Sequence, residues 1–155
     1  MKRLGVILLG LASIVLSTAA RAVSCNVSAT PVSFGSYNVL NAAPLDATGT
    51  VTVTCNGLLG LLVSYNIRLS AGLSGTYAPR QMANGANRLN HNLYTDATRL
   101  IVWGDGSAGT SLVSNSIVLV LLGVTVNHTV YGRVPALQNV AVGNYSDNIT
   151  VTLTF

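Results

Sequence analysis

The chain contains no glutamate and only one lysine, Lys2. Without these two residues the strongest polar helix formers are missing, and a protein of solvated, ion-paired helices is not the expected class. In their place stand Val, Leu, Thr, Ser, Asn and Gly, the composition of an all-β protein with many turns. Charged residues make up 8% of the 155 positions, so acid–base chemistry is thinly supplied. Four aspartates (Asp46, Asp96, Asp105, Asp147) and two histidines (His91, His128) are the only candidates. No G-x-S-x-G elbow singles out one of the many serines as a nucleophile. Gly104-Asp105-Gly106-Ser107 lacks both the lysine of a phosphate loop and the spaced acids of a calcium loop, so it reads as a hairpin turn. Asp96, Asp105 and Asp147 read as turn caps or as partners of a nearby arginine. A hydrolase is therefore a poor candidate, and neither an enzyme nor a cofactor site is expected.

The positive charge is also mostly absent where it would matter. Residues 1–22 have the form of a secretory leader: Lys2 and Arg3, an apolar run over 4–16, and Ala20-Arg21-Ala22 as a small-x-small cleavage pattern. The run is too short to cross a bilayer, which takes about 20 residues, so stable membrane insertion is not expected. Cleavage after Ala22 leaves 133 of the 155 residues, enough for one domain with a real core. It also removes Lys2, Arg3 and Arg21. Arg68, Arg80, Arg88, Arg99 and Arg133 then stand against four aspartates, a side-chain balance of 5 − 4 = +1. No basic cluster remains to neutralise phosphates, so no nucleic-acid partner is expected.

What is present is alternation. Over residues 144–155, Tyr145, Ile149, Val151, Leu153 and Phe155 fall on one side, with Asp147 the single polar intruder; Ser146, Asn148, Thr150, Thr152 and Thr154 fall on the other. Period two is the pattern of a strand with one face on a core. As the last stretch of the sequence, it is expected to be a long edge strand, open to pairing with another chain. The same grammar recurs at 24–34, 48–55, 63–70, 89–95, 99–103 and 125–134, the last closed by Pro135. Gly72, Gly75, Asn84-Gly85 and Gly104-Asp105-Gly106 supply turns between them. Seven or so short strands predict a β-sandwich of immunoglobulin type, in which Trp103 and the six tyrosines are expected as core and corner residues rather than as a sugar-binding platform.

Cys25 and Cys55 are the only cysteines. In an exported chain they most simply form one disulfide, pinning two strands near one end. The competing arrangement is a metal site that adds His91 or His128, but neither spacing matches a zinc pattern. Four glycosylation sequons, at Asn26, Asn127, Asn144 and Asn148, are expected by chance in so Asn-, Ser- and Thr-rich a chain.

Several motifs, in order, resemble the spore coat protein U domain family, the subunits of archaic chaperone–usher pili. They are Cys25-Asn-Val-Ser-Ala-Thr-Pro-Val-Ser-Phe-Gly35, Val51-Thr-Val-Thr-Cys55, Leu93-Tyr-Thr-Asp-Ala-Thr-Arg99 with Trp103-Gly-Asp-Gly106, Val130-Tyr-Gly-Arg-Val-Pro-Ala136 and Gly143-Asn-Tyr-Ser-Asp147. The resemblance implies an incomplete immunoglobulin-like β-sandwich lacking its last strand. A periplasmic chaperone, and then a neighbouring pilus subunit, would lend that strand while an outer-membrane usher assembles the fibre. The protein would pass through the periplasm to the cell surface. Tyr145, Ile149, Val151, Leu153 and Phe155 would line one wall of the acceptor groove, and Val27 and Val32 the other.

Two features depart from the family pattern. Members usually carry a donor segment before the first cysteine, whereas here only Val23 and Ser24 separate the expected cleavage site from Cys25. Such a subunit would accept a strand but have none to donate, so it is expected at the distal tip of a fibre or in a short complex off the fibre. The stretches 57–63 and 117–126 are also unusually apolar. For 57–63 the two glycines favour a contact loop presenting Leu58, Leu59, Leu61 and Leu62, while 117–126 is expected to be buried strand. A self-complete secreted binding module that uses such loops on a ligand or surface is the alternative.

Overall fold

The computed structural model describes residues 23–121 and 123–155; the expected leader, residues 1–22, lies outside them. Eight strands follow in order: β1 Ser24–Thr30, β2 Leu45–Asn56, β3 Leu62–Leu69, β4 Arg80–Asn84, β5 Asn87–Tyr94, β6 Val113–Val118, β7 Val124–Val134 and β8 Val151–Thr154. They form two sheets, ordered β1-β2-β7-β5-β4 and β6-β3-β8, and every pairing is antiparallel. This is an immunoglobulin-like sandwich.

Alternation decides what lies between the sheets. Val51, Val53 and Cys55 of β2 point inward and are buried, as are Val63, Tyr65, Ile67 and Leu69 of β3. Trp103 is fully buried among them and its indole N–H donates to the Ile67 carbonyl at 3.1 Å. The outward rows explain how the sandwich manages without Lys and Glu. Thr52 donates to Asn127 at 2.8 Å, Thr54 and Thr125 share a bond of 3.0 Å, and Ser64 and Ser116 one of 2.8 Å. Such cross-strand hydroxyl pairs support a sheet surface without charge.

Cys25 lies opposite Cys55 in the β1–β2 ladder, and the two are joined in a disulfide near the end of both strands. The thiols are therefore not available as metal ligands. No group of three or more His, Cys, Asp or Glu that could hold a metal occurs among the described residues.

Two expectations change. Residues 99–103 are not a strand: Arg99 has φ 57° and only Val102 and Trp103 make isolated bridges. The Asp96 carboxylate accepts the amides of Thr98 and Arg99 and turns the chain there. In exchange, β4 is a strand that alternation did not reveal. It forms a hairpin with β5, Asn84 opposite Asn87, through the turn at Gly85 (φ 57°) and Ala86.

Arg80 of β4 is fully buried, and among the described residues no carboxylate pairs with it. Its guanidinium donates to the carbonyls of Ser70 (3.0 Å) and Trp103 (2.7 Å) and to Asn92 Oδ1 (2.8 Å), and it lies over the Tyr77 ring at 4.9 Å. Burial lowers its pKa to about 10, still well above neutrality, so Arg80 stays charged and acts as a polar staple joining β3, β5 and the 103 turn.

Candidate functional site

β1 is an edge of the larger sheet and β8 an edge of the smaller one. The two strands meet where Val27 and Leu153 both pack on the main core. Away from that point they part. The chain that follows β1 and the chain that precedes β8 become the walls of an open cleft of about 900 Å³. Val32, Phe34 and Tyr37 line one wall; Tyr145, Asp147, Ile149 and Val151 line the other. Leu69, Met82, Leu89, His91, Leu93 and Val134 lie between them. Residues 31–37 and 147–149 are paired to no strand among the described residues.

The first wall is seated by an absence. A Cβ on Gly132 would come within 2.6 Å of Val32 Cγ1 and 2.7 Å of Phe34 Cζ, so both side chains rest directly on the β7 backbone. The Tyr37 hydroxyl donates to the Pro135 carbonyl and accepts the Gln138 amide, each at 2.8 Å, and so holds the wall's far end.

The second wall corrects the expectation of one long terminal strand. Ser146 exchanges backbone bonds with Ala83 of β4 (2.8 and 3.1 Å), whereas Val151–Thr154 pair with β3 in the other sheet. The segment therefore crosses between sheets, and Asp147 marks the crossing. Its carboxylate accepts the Leu73 amide at 2.8 Å and faces His91 Nε2 at 2.9 Å, with both side chains almost fully buried. The polar intruder in the alternation is thus a clamp, and its partner is a histidine rather than an arginine. Burial pushes the His91 pKa below its ordinary value of 6.5, against the opposing pull of Asp147.

Of the seven residues expected to line a groove, the cleft gathers Val32, Tyr145, Ile149 and Val151. Val27 and Leu153 pack into the main core beyond its closed end. Phe155 lies past the end of β8, exposed, and does not line the cleft. Phe34, Met82, Leu89 and His91 are lining residues that sequence reasoning missed. The alternation of Leu89, His91 and Leu93 was visible, but nothing in it pointed to a cleft.

The opposite end of the sandwich is apolar and exposed. Leu58, Leu59 and Leu61 lie in the loop between β2 and β3, and Leu62 opens β3 with its side chain outward; Leu59 is 62% exposed. The stretch 117–126 is not simply buried strand. Ile117 and Leu119 are buried, but Val118, Val120 and Leu121 are exposed, Leu121 by 83%, where the chain turns from β6 to β7.

The sequence profile of the Spore Coat Protein U domain matches residues 11–152. The chain belongs to that family. Protein U of Myxococcus xanthus is 38% identical over 133 residues, 80% of this chain and 71% of the relative. The fold is similar to that of a chain in the crystal structure of the CsuC–CsuE chaperone–tip adhesion subunit pre-assembly complex from the archaic chaperone-usher Csu pili of Acinetobacter baumannii. The TM-score is 0.59 at 20% identity, with 86% of this chain covered. The present chain spans only 40% of the length of that one. In this spore coat U domain, then, a disulfide-stapled sandwich carries a long cleft at one corner, between unpaired stretches of both sheets.

Proposed function

We propose that this domain is a structural subunit of a chaperone–usher-type surface fibre, completed by a β-strand lent from another chain. The observation that carries the proposal is the cleft. Its two walls belong to different sheets, its lining is mainly apolar, and the unpaired backbone of 31–37 and 147–149 is suited to strand addition. Residues 145–151 extend over about 20 Å, room for a strand of common length. Membership of the spore coat U family and the similarity of fold to a chain of a chaperone–tip subunit complex support the same reading. The partners are then a periplasmic chaperone, an outer-membrane usher and neighbouring subunits, and the role is structural rather than enzymatic. The subunit passes through the periplasm to the cell surface. Processing after Ala22 would leave Val23 and Ser24 before the disulfide, and Ser24 is already held opposite Asn56 in β1. On that basis we place the subunit at a fibre tip.

A second reading has its own observation. The exposed leucines at 58, 59, 61 and 62, beside Val118, Val120 and Leu121, form a contiguous apolar end of the kind that marks binding sites. A self-complete module would bind an apolar surface through it. Both readings use this end; they differ at the cleft. Purified oxidised protein titrated with nine-residue peptides of alternating Val and Thr separates them. An acceptor gains thermal stability with peptide, and without it exposes apolar surface and associates. A monomer whose melting is indifferent to every peptide overturns the acceptor reading.

A further inference from the structure

His91 occupies an unusual place in the cleft. β5 turns Leu89, His91 and Leu93 toward it, so an imidazole stands between two leucines on an apolar floor. The ring is almost wholly buried. Its Nε2 faces the Asp147 carboxylate, whose other oxygen is taken by the Leu73 amide. A carboxylate only accepts, so Nε2 carries the proton. In the neutral ring, which burial favours, Nδ1 is then an acceptor. Nδ1 is closed to solvent and has no hydrogen-bond partner among the described residues. Arg80, opposite His91 in the β4–β5 ladder, directs three of its five N–H donors to Ser70, Asn92 and Trp103, and none of them reaches Nδ1. A buried acceptor left without a donor costs free energy, and folded proteins normally give such a group a partner.

The cleft reading supplies a need for such a group. A strand of alternating apolar residues fills a groove almost equally well after a slip of two residues, because the same face stays inward. One polar contact removes that degeneracy, as a single buried polar residue sets the register of a coiled coil.

We propose that His91 Nδ1 sets the register of the lent strand, which carries one hydroxyl or amide donor among its inward apolar residues and donates it to Nδ1. Phe34, on the first wall, stands edge-on beside the imidazole with ring centroids 6.1 Å apart. Because Nδ1 is closed to solvent, seating the strand requires a neighbouring side chain to move, and the Phe34 ring is the candidate on the first wall. The inference rests on the acceptor reading and adds the chemistry of what the cleft accepts: a partner strand with a polar residue at one fixed inward position.

The test uses oxidised full-length domain and the Val/Thr peptides above, with Ser replacing one inward Val at a time. One Ser position is expected to bind about tenfold more tightly than the other Ser positions, the size of one net hydrogen bond. His91→Phe should bind the all-Val parent and show no preferred Ser position. Because that change strips Asp147 of a partner and can weaken folding, the ¹⁵N signal of Nδ1 in the unmutated protein is the second readout. It should shift on binding the preferred Ser peptide and not the parent. Peptides that all bind with no positional preference, or an Nδ1 signal that does not respond to Ser, overturn the inference and leave the acceptor reading standing. Failure of every peptide to bind overturns the acceptor reading itself.

Discussion

The Gly60 amide donates to the Leu119 carbonyl at 2.8 Å, and the Leu119 amide returns a bond to Leu61 at 2.9 Å. Two loops far apart in sequence are thereby tied into one apolar end. Leu119 is buried as the anchor, while Leu59 and Leu121 are exposed. The exposed leucines are held on a backbone that is already hydrogen-bonded, so they present a fixed surface.

Contact and stability should therefore separate at this end. Leu59→Ser and Leu121→Ser remove exposed atoms only, and each is expected to change stability by no more than about 0.5 kcal/mol. The double variant should lose most of its retention on a phenyl-derivatised matrix, with its melting temperature nearly unchanged. Undiminished retention would show that these side chains make no contact.

The disulfide yields a second prediction. Cys25 and Cys55 are 30 residues apart in sequence and belong to neighbouring strands. Breaking the link in Cys55→Ser frees that loop in the unfolded chain, at a cost of about 3–4 kcal/mol. Urea denaturation of oxidised wild type and variant measures it. A midpoint shift equivalent to less than about 1 kcal/mol would mean that the ladder alone holds β1.

Arg80 gives a third. Arg80→Met keeps an unbranched apolar stem but leaves the Ser70 and Trp103 carbonyls without their donor and Asn92 Oδ1 with only the Leu93 amide. Relief of the buried charge offsets part of that loss, and the net expectation is destabilisation of about 2–4 kcal/mol. Chemical denaturation checks it; an unchanged midpoint would mean that water replaces the guanidinium.

Much of this architecture was legible because period two is a local signal. β2, β3 and β7 bury one row and expose the other, and their alternation is unbroken. β1 and the Cys25–Cys55 pair were equally plain. β4 was not, since Arg-Gln-Met-Ala-Asn shows no alternation of hydrophobicity; its inward Arg80 is polar, and only tertiary carbonyls satisfy it. The terminal stretch misled in a different way. Its alternation is real, but alternation tells which side faces the core and not which strand lies alongside. So the crossing at Asp147 from β4 to β3 stayed hidden, although Asp147 itself was conspicuous. His91 could not be recognised as a cleft residue because the cleft is made by chain segments brought together from both ends of the domain.

Acid should weaken the fold in two stages. His91 and His128 both have pKa values lowered from 6.5, chiefly by burial. The unfolded chain therefore binds protons that the folded chain refuses, and stability falls as pH drops below about 6.5 toward the folded values. Asp46 is held below its ordinary 3.8, first by its hydrogen bond from Arg133, and Asp96 and Asp105 by bonds from Thr98 and Ser107. Their contribution is present above 3.8 and is lost as pH falls through the folded values. Melting temperature should decline between pH 7.5 and 5.0 and again below pH 4. A rise between 7.5 and 5.0 would contradict the direction assigned to the histidines.

The cleft itself can be probed through Ile149, which lines the second wall, packs partly on the main core and lies two residues from Asp147 on the same side. In the open domain this position reaches water, so Ile149→Asp should cost the protein alone a modest amount of stability. Under a seated strand the same carboxylate loses its water and lies near a second negative charge. An unpaired buried charge is far costlier than a lost methyl contact. The variant should therefore melt a few degrees lower than wild type alone, but the stabilisation that the Val/Thr peptide confers should disappear almost entirely. Ile149→Val, which keeps the apolar wall, should retain it. If the peptide raises the melting temperature of Ile149→Asp as much as that of wild type, the strand is not lying against this wall.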